Sequence, residues 1–487
     1  MKLQPTQIAV FLGLTGIIAL VTYLYCRGKR SAGDDEKEYF LSGKDLKWYF
    51  VAGSITLTNL STDQLVGMNG NQMALIVWWE LAAVVGLLML TFLFIPVYYK
   101  YNCTTTTELL ERRYGNAHIR AVISILFLAG NVFILLPGVL YGGSLFMQQM
   151  FGLEQVNIYY IAIVFALVGS AYAIFGGLRA VAVSDTFSGV LLLSLAVFVV
   201  WKALVAIDFD FSGIPSDRLS LIGGYESPIP WPTLLTGMLF IQMFYWSTNQ
   251  TITQRAMASP SVREAQKGIL ASAAIRLLIV PPIIVLPGII SYKLFGEVGN
   301  NKAFGMIVTE LLPVGLTGAF AAAMAAAVLT TFNSILNASA ALWVCDVHES
   351  YINKDPNIRR LCFIVTLVMV ALTFIMFPVF LHAENLINLM QELYGFLSMP
   401  ILSAFMVGLL FRNVDARAVI ISVILGVLLY AFFTRVWPQL PGGNYIHMMA
   451  ITLIFSVLTA LLINRIIYKR NAVWDAYEVF GRQASIK

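Results

Sequence analysis

The run Leu57-Thr58-Asn59-Leu60-Ser61-Thr62-Asp63-Gln64 interrupts an otherwise apolar stretch, 48–68, that is long enough to cross a bilayer. Hydrocarbon offers no water to backbone or side-chain polar groups. A polar break at such depth must therefore be buried in protein or border a water-filled cavity. Interrupted helices of this kind frame substrate and ion sites in secondary transporters. A second break, Tyr245-Trp246-Ser247-Thr248-Asn249-Gln250, follows five candidate spans later. Two broken helices in corresponding positions predict two inverted repeats.

Composition bears this out. Charged residues make up 12% of the chain and hydrophobic ones 59%, against about 25% charged in soluble domains. The apolar runs are of helix-spanning length, and the alternating pattern of a membrane β-barrel is absent. The fold class expected is an all-α polytopic membrane protein, one transmembrane domain over 1–487. The first run, 8–25, is preceded only by Lys2 and carries no A-x-A site, so it reads as a permanent span rather than a signal peptide.

Thirteen spans are expected, near 7–26, 48–69, 73–98, 120–149, 157–175, 186–206, 232–253, 268–291, 311–344, 360–379, 385–411, 418–433 and 446–467. With the N-terminus outside, only Lys2, Lys202, Arg218, Lys293, Lys302 and Arg435 of the 31 basic residues fall outside, and Arg276 lies within a span. The positive-inside rule then favours N-out and C-in. Cys26, Cys103, Cys345 and Cys362 fall at or near the cytoplasmic face on this topology, where a structural disulfide is not expected.

An odd number of spans per unit forces inversion. The first repeat is expected over 48–206 and its inverted partner over 231–411. An extra span at 1–30, two peripheral spans at 418–468 and a polar cytoplasmic tail at 469–487, lying at the membrane surface, complete the chain. The loop 27–47 is rich in Lys, Asp and Glu. The loop 100–120 carries Thr104-Thr105-Thr106-Thr107 and Arg112-Arg113. Gly176-Gly177 is expected to make a tight cytoplasmic turn, with Asp185 opening the following helix.

Several polar groups stand out. Glu80 follows Trp78-Trp79; an intramembrane carboxylate is a functional candidate, unless it sits solvated among headgroups. Arg276 either faces a core cavity or snorkels from near a helix end. Thr330-Thr331 follows the alanine-rich run 321–327. Its hydroxyls either offer oxygens to Na⁺, a hard cation, or bond their own helix carbonyls. Gln391-Glu392 interrupts the eleventh span, where a glutamine suits a polyhydroxylated ligand or an inter-helix contact. Tyr245-Trp246 lies beside a helix break, where an aromatic face suits a pyranose ring.

Other classes lack their signatures. The positive charges are dispersed, so no nucleic-acid partner is expected. There is no G-x-x-x-x-G-K-[ST] motif, no nucleophile–base pair, and His118, His348, His382 and His447 lie on separate segments. Neither an enzyme nor an organic cofactor is expected.

The ordered set Tyr39-Phe40-Leu41-Ser42-Gly43-Lys44, Asn59-Leu60-Ser61 with Gln64 and Gly67-Met68, Gly176-Gly177-Leu178 with Asp185, Tyr245-Trp246, Asn249-Gln250, Gln254-Arg255, Glu264-Ala265-Gln266-Lys267-Gly268, Thr330-Thr331 and Asn337 resembles the sodium/solute symporter family. The likeness is to its bacterial sodium/galactose and sodium/glucose branch and runs from Tyr39 to about Phe411. It implies a leucine-transporter-type inverted repeat of five plus five helices with a sugar site at mid-membrane. By position it implies sugar contacts at Gln64, Glu80, Arg276 and Gln391, with Asn59, Gln242 and Trp246 beside them. Tyr245 is implied as the aromatic closing the inner side, and Met68 and Trp79 as part of an outer gate. The implied Na⁺ site uses carbonyls of Leu57, Leu60 and Ala327 and hydroxyls of Thr330 and Thr331, with Asp185 on an exit path for the ion. The chain departs from the galactose pattern in having Gln242 for Asn, Arg276 for Lys and Ala83 for Ser.

The reading is Na⁺-coupled symport of a glucose- or galactose-like monosaccharide into the cell across the plasma membrane, the inner membrane of a bacterium. The alternative is a relative carrying a polyol, amino acid or carboxylate, and Glu80 opposes an anion unless it is neutralised. A channel is opposed by bulky Met68, Trp79 and Tyr245 across the path. The partners expected are the sugar, Na⁺ and the bilayer; an oligomer is allowed but not required.

Overall fold

In the computed structural model, residues 4–26, 40–299, 301–354, 356–438 and 444–480 are described. The 27–39 part of the expected loop 27–47, including Tyr39, and the end of the tail at 481–487 lie outside them. The helices that carry the argument are α1 Pro5–Cys26, α2 Trp48–Asn59, α3 Trp78–Met89, α4 Ala117–Gly130, α5 Leu136–Phe151, α6 Ile158–Ala206, α7 Gly237–Ser247, α8 Gln250–Met257, α9 Val262–Leu278, α10 Val280–Phe295, α11 Ala303–Leu311, α12 Val314–Ala341, α13 Ile358–Leu381, α14 Leu386–Leu410, α15 Ala416–Ala431 and α16 Tyr445–Ile466.

Ten helical stretches among the described residues are long and apolar enough to cross a bilayer. Outer helices present bulky apolar residues outward, such as Leu12 and Ile17 on α1 and Leu428 on α15. That is the pattern of a protein whose solvent is lipid. At the centre, α12 is buried almost throughout. Its alanine run 321–327 offers neighbours only methyl groups, so backbones approach closely, and its most extensive packing is on α6.

The three remaining expected spans are helical but shorter or broken. In the first, α2 stops at Asn59 and Leu60 leaves helical geometry at φ −81°, ψ 77°. The Ser61 N–H bonds the Asn59 carbonyl at 3.0 Å, which diverts it from its regular acceptor, the Leu57 carbonyl four residues back. The chain resumes as a wide π-helical turn, Asp63–Met68. In the second, α7 ends at Ser247 and α8 restarts at Gln250. The Asn249 side chain accepts from the Thr251 N–H at 2.9 Å, an N-cap that makes a restart favourable.

The third differs from expectation. Positions 176–177 are helical backbone within α6, not a tight turn. Asp185 is therefore mid-helix and cannot be stabilised as an N-terminal charge. A straight helix would separate positions 169 and 185 by about 24 Å at 1.5 Å per residue. Yet Gly169 lies against the Phe332 ring, and Asp185 interacts with Thr330 two positions earlier on α12. The α6 axis must therefore bend sharply between them.

The described part of the tail pairs Val473–Trp474 (β2) antiparallel with Phe411–Arg412 (β1). Asp475 meets Arg113 at 2.8 Å, and the Arg113 Nε donates to the Gly408 carbonyl at 2.7 Å. An ion pair and a carbonyl acceptor hold the segment on the bundle.

Candidate substrate and ion site

The two helix breaks face one cavity. Its lining includes Asn59, Asp63, Gln64 and Met68 from the first break, Trp79 and Glu80 from α3, and Gln242, Tyr245 and Trp246 from α7. From α14 come Met390, Gln391 and Tyr394. Its volume is about 50 Å³, room for a few waters, so a larger solute requires the walls to part.

Glu80 is 1% exposed and Arg276 is fully buried. These burials remove the headgroup-solvated reading of Glu80 and the snorkelling reading of Arg276. Arg276 Nη2 meets Glu80 Oε1 at 2.7 Å and Gln64 Oε1 at 3.1 Å, while Nη1 donates to the Thr56 carbonyl at 3.1 Å. The Gln64 amide also donates to Glu80 Oε1. The Arg276 guanidinium lies over the Trp246 ring, 4.6 Å from its centroid, a cation–π arrangement. Arg276 does not line the cavity. It stands behind Gln64 and Glu80 and fixes them. Glu80 Oε2 has no hydrogen-bond partner, and a buried carboxylate oxygen left so is costly unless a ligand donor meets it.

The rest of the lining is largely aromatic and amide. Trp246 Nε1 donates to Gln242 Oε1 at 2.8 Å, and the Gln242 amide donates to the Trp79 carbonyl at 3.0 Å. Both Gln242 groups are thus committed to protein. Tyr245 Oη donates to Asn59 Oδ1 at 2.7 Å, joining the two breaks directly. Its ring stands edge to face with Tyr394, whose hydroxyl accepts from Asn249 at 3.1 Å. Gln391 lines the same cavity.

Of the residues expected to hold Na⁺, Thr330 and Thr331 lie on α12, and Thr331 reaches the end of α2. Thr330 Oγ1 donates to the Ala327 carbonyl at 3.1 Å, and Thr331 Oγ1 donates across to the Thr58 carbonyl at 3.2 Å. Thr331 spends its proton on a carbonyl, which leaves its lone pairs as the acceptor side, and the Thr330 hydroxyl stands between the Ala327 carbonyl and Asp185. The own-helix bond of Thr330 and the cross-helix bond of Thr331 are therefore both compatible with donation to a cation. Asp185 lies alongside: its Oδ2 accepts from Ser54 at 2.5 Å and from Thr58 at 3.4 Å, and its Oδ1 has no partner. Arg255 Nε bonds the Ser54 hydroxyl at 2.8 Å, linking guanidinium and carboxylate through one serine.

Sequence reasoning passed over Asp63, Tyr394 and Thr56. Asp63 stands next to Gln64 in the same polar run, and position alone could not rank the two. It also gave no role to the threonine run of 104–107. Thr105 and Thr107 donate to Asp346, joined by Ser124 and by Arg120 at 2.7 Å. Asp346 is fully buried, and three hydroxyls and a guanidinium satisfy it. The pairing bridges 226 positions, which no local pattern reveals.

The sodium:solute symporter family model matches residues 39–426. An Escherichia coli (strain K12) protein described as the uncharacterized symporter YidK is 31% identical over 488 residues, which is 95% of this chain and 84% of that protein. The sodium/glucose cotransporter of Vibrio parahaemolyticus is 29% identical, covering 93% of this chain and 89% of its own length. Sodium/myo-inositol cotransporter 2 of Mus musculus is 28% identical, covering 88% and 70%. In structure, the substrate-bound outward-open state of a Na⁺-coupled sialic acid symporter superposes with a TM-score of 0.80 at 17% identity, over 95% of this chain and 98% of that one; this establishes a shared fold.

Proposed function

As a member of the sodium:solute symporter family, this chain is a multi-pass membrane transporter that couples solute movement to Na⁺, and we propose that its solute is a monosaccharide of the glucose or galactose kind. The observation that carries the reading is Glu80. Its carboxylate is anchored on one oxygen by Arg276 and Gln64 and left unpartnered on the other, beside the Tyr245 ring. An ionised acceptor next to an aromatic face suits a ring dense in hydroxyl donors. Glu80, Gln64, Gln391, Asn59 and Tyr245 are the proposed contacts, with Gln242 and Trp246 holding the wall. Arg276 acts by positioning. A polyol is the second reading, favoured by the likeness to a sodium/myo-inositol cotransporter.

The proposed topology is thirteen crossings, N-out and C-in, with repeats at 48–206 and 231–411 flanked by 1–30 and 418–468. In the proposed cycle, Na⁺ binds to carbonyls of Leu57, Leu60 and Ala327 and hydroxyls of Thr330 and Thr331. The Thr331–Thr58 bond ties α12 to the end of α2, so an ion seated there orders the break that carries Gln64. The solute then binds, Met68 and Trp79 close the outer side, and release of the Tyr245–Asn59 bond opens the inner side. Na⁺ leaves past Asp185. Entry of one Na⁺ down the membrane potential supplies about 2.3 kcal/mol per 100 mV.

Calorimetric titration of the purified protein with D-glucose, D-galactose and myo-inositol, in Na⁺ and in choline, tests the reading. A hexose should bind more tightly in Na⁺. Equal affinity in both media, or no binding by any of the three, would overturn it.

A further inference from the structure

The cavity walls carry more negative than positive charge. Glu80 is neutralised by Arg276, whose Nη atoms are held by Glu80, Gln64 and the Thr56 carbonyl. Asp63 lines the same cavity; among the described residues no Lys or Arg forms an ion pair with it, and Arg276 reaches it only through space. The next guanidinium, Arg255, is bound to the Ser54 hydroxyl and the Thr251 carbonyl. One carboxylate therefore faces the cavity with no ion-pair partner among the described residues, on the same lining as Glu80, whose Oε2 is unpartnered, and the rings of Tyr245 and Tyr394. Carboxylate oxygens and aromatic faces are the groups that receive an ammonium. They repel a second carboxylate.

We propose that Asp63 sets the charge selectivity of the site: it admits neutral and ammonium-bearing sugars and refuses carboxylated ones. The inference rests on the monosaccharide reading and names the chemical class within it. The structurally similar sialic acid symporter is described as carrying an acidic sugar, so a shared fold does not fix the sign of the solute. The local carboxylate does.

The test is Na⁺-driven uptake of labelled D-glucose, D-glucosamine with its amine protonated, and D-glucuronate into proteoliposomes. Wild type, Asp63→Asn and Asp63→Glu are compared by kcat/KM. Wild type should take up glucosamine at least as well as glucose and glucuronate worse by on the order of tenfold, the factor that about 1.4 kcal/mol of charge discrimination gives. Asp63→Asn should lower glucosamine relative to glucose by a similar factor and narrow the glucuronate deficit. Asp63→Glu should keep the wild-type order. Ratios unchanged in Asp63→Asn, or glucuronate carried as well as glucose by wild type, would overturn the proposal. If Asp63→Asn fails to insert, the wild-type and Asp63→Glu orders decide on the same criteria. Failure of all three sugars to move defeats the monosaccharide reading and this inference with it; glucose uptake without the charge ranking defeats this inference alone.

Discussion

Arg276 and Glu80 form an ion pair at 2.7 Å between α9 and α3, and the same Arg276 nitrogen reaches Gln64 on the first helix break at 3.1 Å. One guanidinium thus sets the position of two candidate solute contacts that lie on different helices. The pair has almost no exposure. Such a pair is held by geometry: its partners depend on each other, and removing one leaves a buried charge.

Glu80→Gln should therefore act twice. The lost charge-assisted acceptor weakens sugar binding by about 1.5–3 kcal/mol per hydroxyl bond. The uncompensated Arg276 also lowers stability, as removal of one partner of a buried pair does by about 3–5 kcal/mol. Calorimetric affinity and the thermal midpoint in detergent should both fall. A wild-type affinity in the folded variant would place the sugar elsewhere.

Thr330→Ala removes an oxygen that bonds the Ala327 carbonyl and neighbours Asp185. The Na⁺ concentration for half-maximal uptake should rise severalfold, with a smaller change in sugar affinity at saturating Na⁺. An unchanged Na⁺ dependence would remove this hydroxyl from the ion site.

Tyr245→Phe and Tyr245→Ala separate hydroxyl from ring. The first loses only the 2.7 Å bond to Asn59, about 0.5–1.5 kcal/mol, and should keep substantial transport. The second loses the aromatic wall and should lose both binding and coupling. Equal, near-wild-type transport per folded protein in both variants would rule out a gate.

Asp346→Ala tests a group outside the cavity. Arg120 would lose its fully buried partner, and the hydroxyls of Thr105, Thr107 and Ser124 their shared acceptor. Arg120 keeps Glu111, so stability should fall by about 1–3 kcal/mol for the buried hydroxyls left without an acceptor, while sugar affinity of the folded fraction stays unchanged. A selective loss of sugar affinity would instead connect this cluster to the site.

The helix breaks were legible because polar residues within a membrane-length apolar run have few explanations. Both occur where expected, at Leu60 and at Thr248-Asn249. The bend in α6 was not. Gly176-Gly177 suggested a turn, but the backbone stays helical through the change of direction. Pairwise geometry was hidden for a related reason. Nothing local states that Arg276 would stand behind Gln64 and Glu80 rather than in the wall, or that Thr105 and Thr107 serve Asp346. These contacts join segments from distant parts of the chain, and only the packed bundle brings them together.

The most direct measurement is uptake of labelled D-glucose, D-galactose and myo-inositol into proteoliposomes under an inward Na⁺ gradient, repeated with the gradient dissipated by an ionophore. The account predicts that at least one hexose accumulates above its external concentration only while the gradient stands. Equilibration to the same level with and without the gradient, or uptake of none of the three, would contradict it.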